Sequence, residues 1–241
     1  MRKKEESRAR LIEIIKRLRE TYPNAKCSLE YETSFQLLVA TILSAQCTDE
    51  RVNKVTPALF ARFPDARKMA AAKLADVEKL VQSTNFYKNK AKALVEMSQA
   101  LMSEHGGQVP ANLESLVALR GVGRKTANVV LGNAFDTPGM VVDTHVGRLA
   151  RRMGLTKNDD PVKVEQDLMQ VAPKEEWSHL AHLFIYHGRA RCIARKPDCL
   201  NCEVEDLCPK AGVAVSTARP AKAPAEVSGR SLRKPVTSKS R

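Results

Sequence analysis

The sequence predicts an all-α protein of about ten or more short helices. Apolar residues recur at the three- and four-residue spacing of an α-helix, and no run of four or more residues alternates as a strand does. Glycine or proline interrupts the helical period at Pro64, Gly106-Gly107, Gly121, Pro138-Gly139 and Pro173. Each interruption therefore marks the end of one predicted helix.

The elements follow in chain order. The first helix carries one apolar stripe, formed by Leu11, Ile14, Ile15 and Leu18. Thr33 or Ser34 caps a second helix through Phe35 and Ile42, because a hydroxyl oxygen accepts a bond from a free backbone N–H. Further helices are predicted around Val55 to Phe60, Leu74 to Val81, Lys88 to Glu104, Asn112 to Leu119, Lys125 to Ala134, Asp143 to Met153, Pro161 to Val171 and Glu175 to Tyr186.

The 241-residue chain is strongly basic. Its 40 Lys+Arg and 27 Asp+Glu give 40 − 27 = +13, which indicates a polyanionic partner. Residues 211–241 hold seven basic residues, one acid and no apolar period, so we interpret them as a disordered basic tail of charge +6. The remaining +7 belongs to the folded part, so the tail does not account for all of the charge.

The chain has no feature of a membrane or secreted protein. No apolar run reaches the roughly 18 residues of a membrane span, and the N-terminus lacks the unbroken apolar stretch of a signal peptide. Six cysteines are too few for a disulfide scaffold in a chain of this length. We therefore expect a cytoplasmic protein, associated with the nucleoid if the source is bacterial.

Four cysteines form a cluster in the sequence, spaced Cys-x6-Cys-x2-Cys-x5-Cys at Cys192, Cys199, Cys202 and Cys208. Four thiolates with a close central pair can surround one metal centre, and the thiolate chemistry suits zinc and an iron–sulfur cluster alike. The spacing differs from that of zinc ribbons, which favours the cluster. Cys27 and Cys47 stand alone in apolar helical surroundings and are predicted to be core residues.

Basic residues accompany two predicted turns. Arg195 and Lys196 lie between the first two cluster cysteines and are candidate phosphate contacts, with a solvated charge pair as the alternative. The turn Gly121-Val122-Gly123 separates two helices and offers free N–H groups at a helix start, where an anion is favoured, although any helical hairpin needs glycine. The candidate phosphate contacts in and beside this turn are Arg120, Gly121, Val122, Gly123, Arg124 and Thr126.

Two residues are candidates for catalysis. Lys125 lies in the first turn of the second hairpin helix beside Arg124, where the positive surroundings would disfavour the ammonium form and supply a nucleophilic amine. Asp143 follows an apolar pair and opens another helix. The alternatives are a solvated lysine and a helix N-cap, and capping is compatible with catalysis.

Three motifs, LRGVGRKTANVVL, VVDTHVGR and HGRARCIARKPDC-x2-C-x5-C, resemble the helix-hairpin-helix DNA glycosylases. Together they resemble the endonuclease III family over roughly residues 8 to 209. The four cysteines resemble those with which that family binds an iron–sulfur cluster. One departure is Arg120, where the family usually has proline. The resemblance implies two helical lobes with a DNA cleft between them.

The resemblance also divides the chain. Residues 1–26 would form an N-terminal helix that packs with the cluster lobe, and residues 27–137 a six-helix barrel with the helix-hairpin-helix. Residues 138–209 would form the iron–sulfur cluster domain, and residues 210–241 the basic tail. The cluster lobe is thus expected to draw on both ends of the folded chain.

Residue roles follow from the same resemblance. Lys125 would be the nucleophile and Asp143 the essential carboxylate, and the four clustered cysteines would bind a [4Fe-4S] cluster. Gln46 would fill the gap left by a flipped base, and Asp49 and His145 would lie near the base pocket. The partner loop with an apolar wedge would consist of Asn85, Phe86 and Tyr87. A polar turn at Gln46 to Asp49 and an aromatic core anchor at Phe86 are the alternatives.

The implied activity is that of a bifunctional DNA glycosylase and AP lyase of base excision repair. It would act as a monomer on double-stranded DNA that contains oxidised pyrimidines or abasic sites, through a lysine Schiff base and β-elimination. Two rivals are the adenine glycosylase branch, which lacks the lysine, and a non-catalytic, metal-stabilised DNA-binding module. The presence of Lys125 and the short tail argue against the adenine branch.

Overall fold

A computed structural model describes residues 2–214, and every regular element in this range is helical. The α-helices are α1 (Arg2–Thr21), α2 (Ser34–Ser44), α3 (Asp49–Arg62), α4 (Ala66–Ala70), α5 (Leu74–Val81), α6 (Tyr87–Glu104), α7 (Leu113–Ala118), α8 (Arg124–Ala134), α9 (Thr144–Arg152), α10 (Pro161–Val171) and α11 (Trp177–Ala190). Short 3₁₀ turns cover Lys174–Glu176, Cys199–Asn201 and Glu205–Leu207. The predicted all-α fold is confirmed.

Polar caps determine where many of these helices begin. The side chains of Thr33, Thr48, Asn112 and Asp143 each accept a bond from a backbone N–H in the first turn of the helix that follows. Thr33, rather than Ser34, caps α2. The five-residue α4 was not predicted, because it is too short to show an apolar period.

The last α-helix is longer than predicted. It begins at Trp177 after a 3₁₀ turn and passes Tyr186 to end at Ala190. Gly188 lies within it, and a Cβ there would stand 2.9 Å from Nδ1 of His145. Gly188 is thus a position where α11 packs closely on α9.

Helices α2 to α8 enclose one hydrophobic core, and we call this part the barrel lobe. Its buried residues run from Leu29 to Leu131 along the chain. The second core combines residues from both ends of the described chain, Leu11 to Ala25 and Met140 to Val204. We call the part built on it, which contains α1, α9, α10, α11 and the cysteine segment 192–208, the cluster lobe.

Arginines of α1 bind the cysteine segment. The Arg10 guanidinium donates to the carbonyls of Met153 and Leu207 at 2.7 and 2.9 Å, and Arg17 donates to the Asp206 carboxylate at 2.7 Å. Helix α1 also packs against α10 and α11. The first helix is therefore part of the cluster lobe, although most of the described chain separates it from the cysteines.

Two sequence predictions concern the chain's tail and its membrane-spanning potential, and the structure bears on them only within residues 2–214. Most of the predicted basic tail, residues 215–241, lies outside it. Within residues 2–214, no helix is long and apolar enough to cross a membrane.

Candidate active site

A cleft of about 220 Å³ lies between the two lobes. Lys125 and Asp143, the two predicted catalytic residues, both line it, one from α8 and one from the N-terminus of α9. Other lining residues are Lys26, Cys27, Cys47, Asp49, His182, Tyr186 and Arg189. An amine and a carboxylate therefore face one cavity whose walls come from different parts of the chain.

The start of α8 presents Lys125 to the cleft. Gly123 is the N-cap of α8 and supplies no side-chain bond, so backbone N–H groups of the first turn stay available to an anion. Lys125 is exposed in that turn. The Asp143 carboxylate accepts from the Val146 N–H at 2.8 Å, which fixes its position as the cap of α9 while it lines the cleft.

The two hairpin glycines have different surroundings. Gly121 has φ +78°, and a Cβ there would lie 3.0 Å from the Cβ of Ala93. Gly123 has an ordinary φ of −88°, and a Cβ there would meet nothing within 4 Å. The backbone of the turn thus requires glycine at 121. At 123 the glycine leaves open space beside the backbone on the outer surface. Val122 between them is buried in the barrel core.

The predicted hairpin cations have protein partners. The Arg120 Nε lies 3.4 Å from the Glu96 carboxylate on the exposed surface of the barrel lobe. The Arg124 guanidinium donates from two nitrogens to the Glu165 carboxylate, both at 2.8 Å, and this interaction raises the pKa of Arg124. Thr126 is half-buried on α8. Of the cationic side chains at 120, 124 and 125, Arg124 is thus turned toward the other lobe.

Two loops with left-handed residues adjoin at the edge of the barrel lobe. Gln46 has φ +53° and Phe86 has φ +57°, a region that non-glycine residues rarely occupy. The Asn85 side-chain amide donates to the Gln46 carbonyl at 2.5 Å, so one loop holds the other. Phe86 is 63% exposed, and Tyr87 begins α6 half-buried. An exposed aromatic held in a strained conformation is not a core anchor.

The two predicted base-pocket residues are in different places. Asp49 lines the cleft, with its carboxylate 3.9 Å from an Arg189 nitrogen of the opposite lobe. His145 is absent from the residues that line the cleft, and its Nδ1 lies 3.1 Å from Arg148 Nη2. Burial is the main reason that the pKa of His145 is lowered.

The four clustered cysteines line a single pocket. Within the described residues none is in a disulfide, and arginines of α9 bind the loop that begins at Cys192. Arg152 donates to the Cys192 sulfur at 3.2 Å and to the Ile193 and Ala194 carbonyls, and Arg148 donates to the Cys192 carbonyl. Arg195 and Lys196 stand exposed on this loop.

The donor set fits a metal centre. Burial raises the pKa of the Cys202 thiol to about 12 and also raises those of Cys199 and Cys208. Four closely placed thiols in such surroundings become thiolates only when a cation compensates them, which a bound metal centre does. The buried His187 places Nε2 3.4 Å from the Cys202 sulfur, and His187, Cys202 and Glu203 form a close group of potential ligands.

The sequence alone does not identify several of the residues that line the cleft. Cys27 and Cys47 pack against the barrel core as predicted but are only half-buried, and both line the cleft. His182, Tyr186 and Arg189 reach it from α11. Their spacing of four and three residues is that of one helix face, a signal that was available in the sequence but not separable from core periodicity.

Comparison with known proteins agrees with this architecture. A family model described as HhH-GPD superfamily base excision DNA repair protein matches residues 39–174. Endonuclease III of Synechocystis sp. is 52% identical over 212 residues, which are 88% of this chain and 97% of that protein. Endonuclease III of Escherichia coli K12 is 40% identical over 202 residues, which are 84% of this chain and 96% of that protein.

A solved structure described as a trapped endonuclease III–DNA covalent intermediate resembles this fold with a TM-score of 0.79. It is 39% identical in sequence, and the match covers 84% of this chain and 96% of that one. Sequence and fold agree over the barrel and cluster lobes alike. The chain therefore belongs to the endonuclease III family, within the HhH-GPD superfamily of base excision DNA repair proteins.

Proposed function

We propose that the protein removes oxidised pyrimidines from duplex DNA and then cleaves the strand on the 3′ side of the abasic site. Its family makes it a base excision repair enzyme of the DNA glycosylase and AP lyase class. The observation that carries the finer proposal is that Lys125 and Asp143 line one cleft between the lobes. A Schiff-base mechanism needs an amine nucleophile and a carboxylate in one site.

The chemistry begins with extrusion of the damaged nucleotide. A base within the duplex cannot be reached, and flipping it out costs a few kcal/mol, least for a damaged base. The Lys125 amine then attacks the sugar C1′, and the bond from C1′ to the base breaks with its electron pair leaving on the base. Asp143 stabilises the cationic sugar and helps to move the proton.

One lysine serves both reactions. Opening of the sugar ring breaks the C1′–O4′ bond, O4′ takes up a proton, and a Schiff base remains between Lys125 and C1′. This Schiff base acidifies the C2′ proton, and loss of that proton expels the 3′ phosphate by β-elimination. Hydrolysis of the Schiff base then frees the lysine. Base removal and strand cleavage therefore both use the Lys125 amine.

The described surfaces support a DNA complex in one orientation. The hairpin N–H groups of Gly121 and Gly123, with Arg120 and Thr126, would bind phosphates on one side of the cleft, and Arg195 and Lys196 on the other. The Val122 N–H, also expected to bind phosphate, instead donates to the Leu119 carbonyl at 3.1 Å. Gln46 and the loop of Asn85, Phe86 and Tyr87 would enter the gap left by the flipped base. Asp49 faces the cleft and His145 lies on the adjoining α9, so we retain both beside the base pocket.

We propose that Cys192, Cys199, Cys202 and Cys208 bind a [4Fe-4S] cluster. Their common pocket and the four thiols that it brings together support a metal centre. The cluster would hold residues 192–208 in place and so position Arg195 and Lys196. A pure, anaerobically prepared protein without visible absorption would exclude an iron–sulfur cluster and favour zinc.

The two hydrophobic cores support the domain boundaries at residues 26 and 137, with the N-terminal helix in the cluster lobe. The predicted start of the tail at residue 210 is too early, because the Ala211 N–H donates to the Arg152 carbonyl of that lobe at 3.0 Å. We propose that this unit acts as a monomer, in the cytoplasm and on the nucleoid if the source is bacterial. Activity of the purified protein on a panel of duplexes, each with a single oxidised pyrimidine, would define the lesion preference.

Borohydride trapping tests the mechanism. Reduction of a reaction with duplex DNA that contains an oxidised pyrimidine should join protein and DNA covalently, and Lys125→Ala should abolish the adduct. Asp143→Asn should reduce base removal by a factor on the order of 10² to 10⁴ because the carboxylate assists proton transfer. An adduct that survives Lys125→Ala, or no adduct with the wild-type protein, would contradict the proposal and favour a non-catalytic DNA-binding protein.

A further inference from the structure

The residue before the proposed nucleophile binds the opposite lobe. Arg124 donates from Nε and Nη2 to the two carboxylate oxygens of Glu165 on α10, both at 2.8 Å. The Glu165 side chain is only 7% exposed, whereas that of Arg124 is 44% exposed, so the protein compensates the carboxylate while the guanidinium keeps contact with water. A two-point arginine–carboxylate pair in such surroundings has a defined geometry as well as a high strength.

Glu165 also contacts the second turn of α8, the helix that begins with Arg124. The side-chain amide of Asn128, one turn after Arg124, donates to Glu165 Oε1 at 3.4 Å and to the Met140 carbonyl at 3.1 Å. Asn128 is itself buried. One carboxylate from α10 thus holds the first two turns of α8, and these turns contain Lys125.

The same group of contacts extends toward the proposed carboxylate. Met140 lies three residues before Asp143, and Gly139 packs so closely on α8 that a Cβ there would lie 2.9 Å from the Asn128 carbonyl oxygen. The Gly139 N–H donates to the Ser178 hydroxyl at 3.2 Å, and that hydroxyl donates to the Gly139 carbonyl at 3.3 Å. The segment that leads to Asp143 is therefore attached to both α8 and α11.

We propose that Glu165, acting through Arg124 and Asn128, is a positioning residue that sets the Lys125 amine relative to Asp143. Lys125 and Asp143 belong to different lobes, and these contacts, centred on the buried Glu165 and Asn128, join the helix of the first to the segment that precedes the second. Misplacement of a reacting group by about 1 Å can cost on the order of 100-fold in rate. The inference rests on the proposed lysine chemistry and adds a role for residues that do not touch DNA.

The alternative is that Arg124 is a phosphate contact, as the sequence analysis expected. In that case Glu165 would compete with DNA for the guanidinium. Removing its charge would free Arg124 and tighten DNA binding, with a steeper dependence on salt. The positioning role instead requires that changes at Glu165 and Arg124 have the same effect on rate and little effect on affinity.

The experiment compares Glu165→Gln, Arg124→Lys and the double variant with the wild-type protein. Single-turnover borohydride trapping on a duplex with one abasic site measures the rate of Schiff-base formation, and fluorescence anisotropy on the same duplex measures Kd at several salt concentrations. We expect each single change to slow trapping by about 10- to 100-fold. Kd should stay within about twofold, and the double variant should be no slower than the slower single one, because both changes break one unit.

Asp76→Asn is the matched control, because it removes one carboxylate from an exposed pair with Arg62 at 3.1 Å on the barrel surface. Its trapping rate should equal that of the wild-type protein. Far-ultraviolet circular dichroism and thermal melting establish that each variant is folded. If Glu165→Gln does not fold, Arg124→Lys carries the test, since it keeps the positive charge and loses only the two-point geometry.

Wild-type trapping rates for a folded Glu165→Gln or Arg124→Lys variant would overturn the inference. So would tighter DNA binding by Glu165→Gln together with weaker binding by Arg124→Lys, which is the result for a phosphate contact. Failure of the proposed function has a different signature, because the wild-type protein itself would then give no covalent adduct.

Discussion

The hairpin at 119–124 and the cysteine segment at 192–208 are both proposed to bind DNA phosphates, but different interactions hold them. Leu119 and Val122 anchor the hairpin in the barrel core. In residues 192–208, Val204 is the single fully buried apolar side chain, and arginines of α1 and α9 make most of the side-chain contacts. The hairpin can therefore fold by apolar burial, whereas the cysteine segment has too little apolar surface to do so without the proposed metal centre.

The largest expected effect comes from removing one cysteine of the cluster. Cys202→Ser should abolish the visible absorption of the proposed [4Fe-4S] cluster and make the chain near residues 192–208 sensitive to limited proteolysis. The barrel lobe should stay resistant, because its core does not depend on the metal. Absorption spectra and mass spectrometry of the proteolytic fragments measure both effects.

Cys47→Ser is the matched control for that experiment, since Cys47 packs on the barrel core and is not one of the four. It should leave the absorption and the cleavage pattern unchanged. If residues 192–208 resist proteolysis equally in Cys202→Ser and in the wild-type protein, the segment folds without a metal centre. The proposed difference from the hairpin would then be wrong.

A second effect is expected at the junction of the two lobes, where His182 of α11 bonds Asn133 of α8 at 3.2 Å. Burial, together with nearby His179, lowers the pKa of His182 from 6.5 to about 4. Protons therefore bind the unfolded chain more readily between these pH values, so stability is full above pH 6.5 and is lost as the pH falls toward 4. The loss amounts to about 3 kcal/mol at most.

The measurement is the apparent Tm at pH 7.5 and at pH 5 for the wild-type protein and for His182→Gln. The variant should lose less Tm on acidification, because glutamine has no proton to bind in this range. The same drop in both proteins would mean that the imidazole is not kept neutral at the junction.

A smaller effect should separate the two glycines of the hairpin. Gly121→Ala should destabilise the protein by about 1 to 2 kcal/mol, since it places a Cβ at φ +78° and 3.0 Å from Ala93. Gly123→Ala should leave the Tm unchanged and weaken DNA binding, because its Cβ points into open space on the outer surface. Thermal melting and Kd measurements distinguish them, and equal losses of Tm would contradict the different surroundings of the two positions.

The sequence predicted local features well and cross-lobe contacts poorly. The cap at Asp143 and the turn at Gly121 depend on neighbouring residues, so periodicity and turn chemistry were enough to find them. The Arg124–Glu165 pair joins residues 41 positions apart on different lobes, and no local pattern distinguishes Arg124 from a phosphate-binding arginine. Cys27 and Cys47 were assigned to the core for the same reason, because an apolar neighbourhood does not reveal that a cleft passes beside it.

The smallest expected effect concerns the basic tail. Residues 215–241 carry seven basic residues and one acid, a charge of 7 − 1 = +6, and lie outside the described residues. Their deletion should weaken DNA binding and flatten its salt dependence, by up to about 0.9 in log–log slope for each phosphate that the tail neutralises. Base excision at saturating enzyme should persist, because Lys125, Asp143 and the cleft they line belong to residues 2–214.

A matched variant tests whether the tail and the cysteine segment contribute separately. Changing Arg195 and Lys196 to glutamine removes two exposed cations from the folded part, so the slope should fall by about 0.9 for each phosphate they neutralise, whether or not the tail is present. Additive changes in slope are expected, because the two surfaces would then bind different phosphates. Loss of excision on deleting the tail would instead make those residues part of the active machinery, and the hairpin and the cysteine segment would no longer account for DNA positioning.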